Sequence, residues 1–306
     1  MNKSHSVAVI EIGTNSIKFI IAKKSEQLGL QVLYEKTIEQ RIGTGISASN
    51  LVLSETTIKK LIATLLQLIQ YANNHSVSSI RIVATSAVRE ASNRDELSQC
   101  IQEACQIKLE ILSGETEALY IGKAIQLDTR WQSTETLNII DLGGGSLEYI
   151  EIKNHTIIQA SSLPLGAVRL SEEFTAKNNS RFESDTLLKI QAHVEAQLSA
   201  HSIKIDPQVP LLGSGGAFHI LKNTLKLKEP LEKNALLNVA TTLGLETIES
   251  RITHYGVPEK RADIFPVAVA TLYAFMNSSE IKVLHPSQFN LKFGILKEML
   301  ECPGIA

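Results

Sequence analysis

VAVIEIGTNSIKFII, residues 7–21, is written again at 137–152 as LNIIDLGGGSLEYIEI. Glu11 lines up with Asp141, Gly13 with Gly143, Ser16 with Ser146, Lys18 with Glu148 and Phe19 with Tyr149, all at one offset of 130 residues. Each copy runs an apolar strand pattern into an acid, a glycine-containing turn and a second strand pattern, which reads as a hairpin. A fixed offset between two such units predicts an α/β chain built twice on one plan.

A strand that ends in an acid and a glycine turn leaves backbone N–H groups accessible, the arrangement that cradles phosphate oxygens. Glycine suits it because a Cβ would obstruct the approach. The first loop offers Gly13, Thr14, Asn15, Ser16 and Lys18, and the second offers Gly143, Gly144, Gly145 and Ser146. A third loop, GSGG at 213–216, adds Gly213, Ser214 and Gly215. Alternation along the strand sends Ser16 and Lys18 to one face, and Ile17 and Phe19 to the core. The acids Glu11, Asp141 and Glu148 are hard oxygen ligands suited to Mg²⁺, directly or through water. Two such loops facing one another predict a cleft for a phosphate chain with its divalent cation. A single GGGS is more simply an ordinary tight turn; the repetition and the third loop favour phosphate.

The rest of the chain narrows the class. Its 306 residues carry a net charge of -2 with a pI near 6.5, so no global basic field draws nucleic acid or an anionic membrane. No apolar run approaches the roughly 20 residues that cross a bilayer. Cys100, Cys105 and Cys302 have neither metal-ligand nor disulfide spacing, and MNKSHSVAVIEIG opens without a long apolar leader, so a reducing cytoplasm is expected. Apolar residues at helical spacing predict a helix after Ser54, a natural N-cap. TIIQASSLPLGAV, residues 156–168, reads as a third strand of the second half. The polar stretch LDTRWQSTET, 127–136, marks a boundary, giving domains at 1–124 and 125–306, with a last helix near 290–306 packing back on the first domain.

Seven blocks in order, EIGTNSIKF, ATSAVREASN, ILSGETEA, DLGGGSLEYIE, SLPLGAVRLSEEF, LLGSGG and RADIFP, resemble the exopolyphosphatase and guanosine pentaphosphate phosphohydrolase family. That family lies in the actin, sugar kinase and heat-shock ATPase superfamily, and the resemblance is to its short, two-domain form. It implies two ribonuclease-H-like, actin-like ATPase domains flanking a cleft. It implies metal-dependent release of terminal phosphate from polyphosphate or guanosine pentaphosphate, with Mg²⁺ the cation the acids suit; dimers are common among the proteins it resembles. Carried over by position, the catalytic base falls on Glu117, which would polarise a water for in-line attack. Arg89 matches the arginine that grips the phosphate. Arg41 and Arg169 sit in family-like blocks as polyanion contacts. Glu115 reads instead as an acid at a helix start capped by Ser113.

Departures from the family pattern matter too. Glu11 stands where Asp is usual, Lys18 and Lys292 where Arg is usual, Leu119 where an arginine follows the glutamate-alanine pair, and Asn290 where Gly is usual. They permit a non-catalytic sensor of guanosine polyphosphate or polyphosphate; a kinase of the same superfamily would use a similar cleft, and the SGETEA and ATSAVR blocks argue against it.

Overall fold

A computed structural model of the chain describes residues 6–25, 29–48, 50–175 and 180–301, which leaves Cys302 outside the described residues. The chain divides into two compact units, one drawn from residues up to 132 and from 289 onward, the other from 133–288.

The first unit carries β1 (Ser6–Ile12), β2 (Ile17–Ser25), β3 (Gly29–Ile38), α1 (Glu55–Asn74), β4 (Ser79–Ala84), α2 (Ser86–Glu90), α3 (Arg94–Cys105), β5 (Leu109–Ile111) and α4 (Gly114–Ile125). Its sheet runs β3-β2-β1-β4-β5, with β1, β2 and β3 antiparallel and β4 and β5 parallel to β1. β1 is buried along its whole length, as a central strand covered on both faces must be. Ser54 caps α1 by accepting from the Thr57 amide, as its sequence predicts.

The second unit repeats the plan. β6 (Thr136–Leu142), β7 (Leu147–Lys153) and β8 (Thr156–Leu163) form the antiparallel half. They are followed by α5 (Ala167–Phe174), α6 (Thr186–Ala200), β9 (Leu211–Gly215) and α7 (Gly216–His219). β10 (Leu231–Glu232), α8 (Lys233–Leu245), α9 (Ile248–Thr253), α10 (Phe265–Ser278) and β11 (Val283–Pro286) complete it. The sheet order is β10-β11-β9-β6-β7-β8, and β9 lies parallel to β6 as β4 does to β1.

The duplication reaches into the irregularities. The pairing of β2 with β3 slips between Ile21 and Ala22, and that of β7 with β8 slips between Glu151 and Ile152, the same place at the offset of 130. The extra residues of the two bulges, Leu33 and Ile158, are 48% and 53% exposed on edge strands. Bulges at sheet edges disrupt the flat ladder that would otherwise invite another strand.

Two boundaries differ from expectation. The first unit runs on to 132 because turns continue from α4: Asp128, 2% exposed, donates its amide to Ile125, accepts from the Trp131 amide and holds the Arg130 side chain. The strand read through residue 168 stops at Leu163, and Ala167 and Val168 open α5, because their amides are needed by the carbonyls of the second glycine loop. Beyond Phe289 the chain returns to the first unit as α11 (Leu291–Glu301), which packs on α4 where Gly294 lets it close: a Cβ there would lie 1.9 Å from the Tyr120 carbonyl oxygen.

Candidate active site

Both hairpin loops close the same way. Gly13 N donates to Ser16 O at 3.0 Å, and Gly143 N donates to Ser146 O at 3.0 Å. An added Cβ would lie 2.9 Å from the Ser16 carbonyl, where something must shift, and 3.2 Å from the Ser146 carbonyl, where the contact is tight. Thr14, Asn15 and Ser16 are buried, as is Ser146.

In the first unit the register sets Glu11 opposite Lys18, and the two form an ion pair at 2.6 Å through Oε1. Glu11 is 5% exposed, and its Oε2 is buried with no hydrogen-bond partner. Phe19 and Ile17 are buried on the other face, as alternation predicts. Nearby, Lys292 at the start of α11 is 4% exposed and bonds to Glu35 and Asn290, each at 3.1 Å. Burial pushes its ammonium below the ordinary lysine value and Lys18 adds to that, while Glu35 and Glu11 oppose it.

The residues expected to perform chemistry meet in this unit. Arg89, in the last turn of α2, donates through Nη1 to Glu117 Oε2 and to the Leu112 carbonyl, both at 3.0 Å. Ser113 caps α4 by accepting from the Thr116 amide at 3.1 Å. That cap sets the phase of the helix, so Glu117 is 7% exposed while Glu115 and Leu119 face solvent. A buried carboxylate oriented by a guanidinium can take a proton from water, and the same guanidinium can hold an anion.

In the second unit the equivalent cross-strand pair is Asp141 and Glu148, 8% and 2% exposed. Glu148 accepts from Ser162 Oγ at 2.7 Å. Ser162 escaped the sequence reading, although it lies directly opposite Glu148 once three strands are paired. Two carboxylates facing each other in an antiparallel pair repel; a divalent cation is the counter-charge that suits them. Among the described residues no three His, Cys, Asp or Glu side chains form a ready metal cage. Mg²⁺ is ordinarily held by one or two carboxylates together with water and substrate phosphate. The buried, unpartnered Glu11 Oε2 is a further acceptor of the right kind. The donor sets therefore fit a hard divalent cation.

Gly166 packs against the GGG loop so tightly that a Cβ would fall 2.2 Å from the Gly145 carbonyl carbon. The third loop divides by role. Gly213 lies within β9 and makes room for the Phe218 ring, which a Cβ would meet at 2.3 Å. Gly215 has φ +116°, and a Cβ there would sit 2.3 Å from the Leu142 carbonyl. Ser214, 1% exposed and in register with Asp141, has an Oγ without a partner. Gly216 admits the Arg261 guanidinium, whose Nη1 lies 1.7 Å from where a Cβ would be. The turn that carries Arg261 is held by Arg251, fully buried, which donates to the carbonyls of Leu243, Ala262, Ser180 and Gly244. Burial pushes the Arg251 guanidinium down to about 10, which still leaves it charged at neutral pH. No local motif announces Arg251; its importance comes from four carbonyls brought together by the fold.

The model of the Ppx/GppA phosphatase family matches residues 20–302. A guanosine-5'-triphosphate,3'-diphosphate pyrophosphatase of Pseudoalteromonas translucida is 28% identical over 305 residues, covering 96% of this chain and 59% of that protein. Among solved structures, an exopolyphosphatase from Cytophaga hutchinsonii superposes with a TM-score of 0.82 at 22% identity, over 97% of this chain and 98% of that one. The Aquifex aeolicus member of the Ppx/GppA family superposes with a TM-score of 0.79 at 22% identity, over 99% of both chains. The chain belongs to the Ppx/GppA phosphatase family, and its two units have the actin-like fold.

Proposed function

We propose that this Ppx/GppA-family phosphatase releases the terminal phosphate of inorganic polyphosphate or guanosine pentaphosphate by attack of water. The observation that carries the reading is the Arg89–Glu117 contact at 3.0 Å between a buried carboxylate and a guanidinium. Glu117 accepts the proton of the attacking water, and Arg89 holds the phosphoryl oxygens as charge builds on them. The amides of the glycine loops bind phosphate oxygens, with Ser16 and Ser146 adding hydroxyls. Asp141 and Glu148 would hold a divalent cation such as Mg²⁺, which would offset the charge of the phosphate chain. The relatives named above motivate the two substrates, which present the same terminal phosphoanhydride.

The test is phosphate release from each substrate, with and without Mg²⁺, by the wild type and by Glu117→Gln. Loss of release in the variant supports the mechanism, and equal release by both proteins removes Glu117 from it.

One observation favours the sensor reading. Lys18 already occupies Glu11 Oε1 at 2.6 Å, so the first-loop carboxylate is partly neutralised from within the chain. Calorimetric binding of guanosine pentaphosphate without phosphate release would select that reading over hydrolysis.

A further inference from the structure

We infer that Arg41 and Arg169 are positioning residues, each locking the glycine loop of its own unit into a shape that aims bare amides at an anion. The part that concerns phosphate rests on the phosphohydrolase reading above; the locking does not.

In the first unit the carbonyl of Thr14, second residue of the loop, accepts from two successive amides, Ile42 N and Gly43 N, both at 3.0 Å. The residue just before them, Arg41, places its Nε 2.7 Å from the side-chain oxygen of Asn15, third residue of the loop. Asn15 in turn donates to Glu39 at 3.1 Å. In the second unit the carbonyl of Gly144, again second in its loop, accepts from Val168 N at 2.8 Å and Arg169 N at 3.2 Å. Arg169 then sets its Nε 2.9 Å from the carbonyl of Gly145, third in the loop. Each loop is thus clasped at its second residue by a pair of amides and pinned at its third by an arginine Nε.

The two arginines do not share the offset of the duplication. Arg41 precedes its clasping pair in a coil, whereas Arg169 is the second member of its pair at the start of α5. The same anchoring point is reached from different registers and different backbone, so inheritance of one ancestral position does not account for it. A shared mechanical need does.

That need follows from peptide geometry. In a trans peptide the N–H points opposite to the C=O. The carbonyls of Gly143, Gly144 and Gly145 all accept from the 167–169 segment. The N–H groups of Gly144, Gly145 and Ser146 are therefore turned to the opposite side, and none donates to another backbone carbonyl among the described residues. Without Cβ atoms at 143–145, little else holds the loop. Arginine suits the pin because its planar fork fixes the Nε–H direction, which a lysine ammonium cannot.

The experiment uses the full chain with Arg41→Lys, Arg169→Lys and Arg169→Met, and inorganic tripolyphosphate as probe. Backbone amide exchange at the donors that hold the loops is expected to rise about tenfold, at Gly13, Ile42 and Gly43 in Arg41→Lys and at Gly143, Ala167 and Val168 in either Arg169 variant, with little change elsewhere. Tripolyphosphate binding by calorimetry is expected to weaken about tenfold in every variant, the lysine ones included, because a charged donor bond is lost. Unchanged loop exchange, or full recovery of binding by lysine, overturns the inference. Should the wild type bind no tripolyphosphate, the phosphate reading falls, and amide exchange decides the locking on its own.

Discussion

Glu11 and Lys18 form an ion pair at 2.6 Å in the position where the second unit sets Asp141 against Glu148. The first cross-strand pair sets acid against base, the second acid against acid. Mg²⁺ is therefore expected to raise the melting temperature of the wild type and of Glu11→Gln, and to have little effect on Asp141→Asn or Glu148→Gln. A thermal shift that survives loss of Asp141 would place the cation elsewhere.

Glu117→Gln keeps the shape of the side chain and its capacity to accept from Arg89, and removes the basic carboxylate. Phosphate release is expected to fall by about 10²–10⁴-fold with the melting temperature nearly unchanged. Arg89→Lys retains the charge and loses the fork, so a smaller loss is expected, read as a rise in KM for the phosphoanhydride substrate.

Gly166 has φ -69° and ψ 149°, a conformation open to any residue, so only space requires glycine there. Gly166→Ala would drive a methyl into the backbone of Gly144 and Gly145, which the clasp holds in place. Denaturant titration is expected to show a loss of about 1–3 kcal/mol, together with lost phosphate release. Gly294→Ala is expected to destabilise as well, despite the helix preference for alanine of about 1 kcal/mol, because the Tyr120 carbonyl has nowhere to go.

Glu298 on α11 accepts from Tyr120 at 2.6 Å, Arg81 at 3.0 Å and Lys123 at 3.1 Å. Burial pushes its carboxyl up, but those three hydrogen bonds together outweigh it and hold the group below its ordinary 4.5. A carboxyl depressed by folding stabilises the native state above its unfolded value, and that contribution fades as pH falls from about 4.5 through the folded value. Glu298→Gln is expected to be less stable than the wild type at neutral pH, with the difference shrinking in acid; a constant difference from pH 7 to pH 3 would refute the coupling.

The duplicated plan is legible in the chain because glycine and acid must stand at set distances from a hairpin turn, and two such signatures at one offset are hard to misread. Helix spacing says that Glu115 and Glu117 face different ways; the choice of Glu117 rests on the family resemblance, and the structure buries Glu117 while Glu115 is exposed. The pairing of Glu11 with Lys18 is implied by the hairpin register, yet a lone lysine beside a glycine loop reads first as a phosphate contact. What stayed hidden depends on distant chain segments. Arg81 meets Glu298 across 217 residues of sequence. Arg251 collects carbonyls from three separate stretches, and the true start of α5 is dictated by carbonyls in a loop over 20 residues earlier. Local propensity carries no trace of such partners.

Because α11 belongs with α4 and β1, the second unit is an insertion within the first. A ribosome making this protein would finish every strand of the first unit early and still have to deliver the second unit whole before the closing helix emerged. Until then the face of α4 at Tyr120, against which Gly294 closes, stands uncovered.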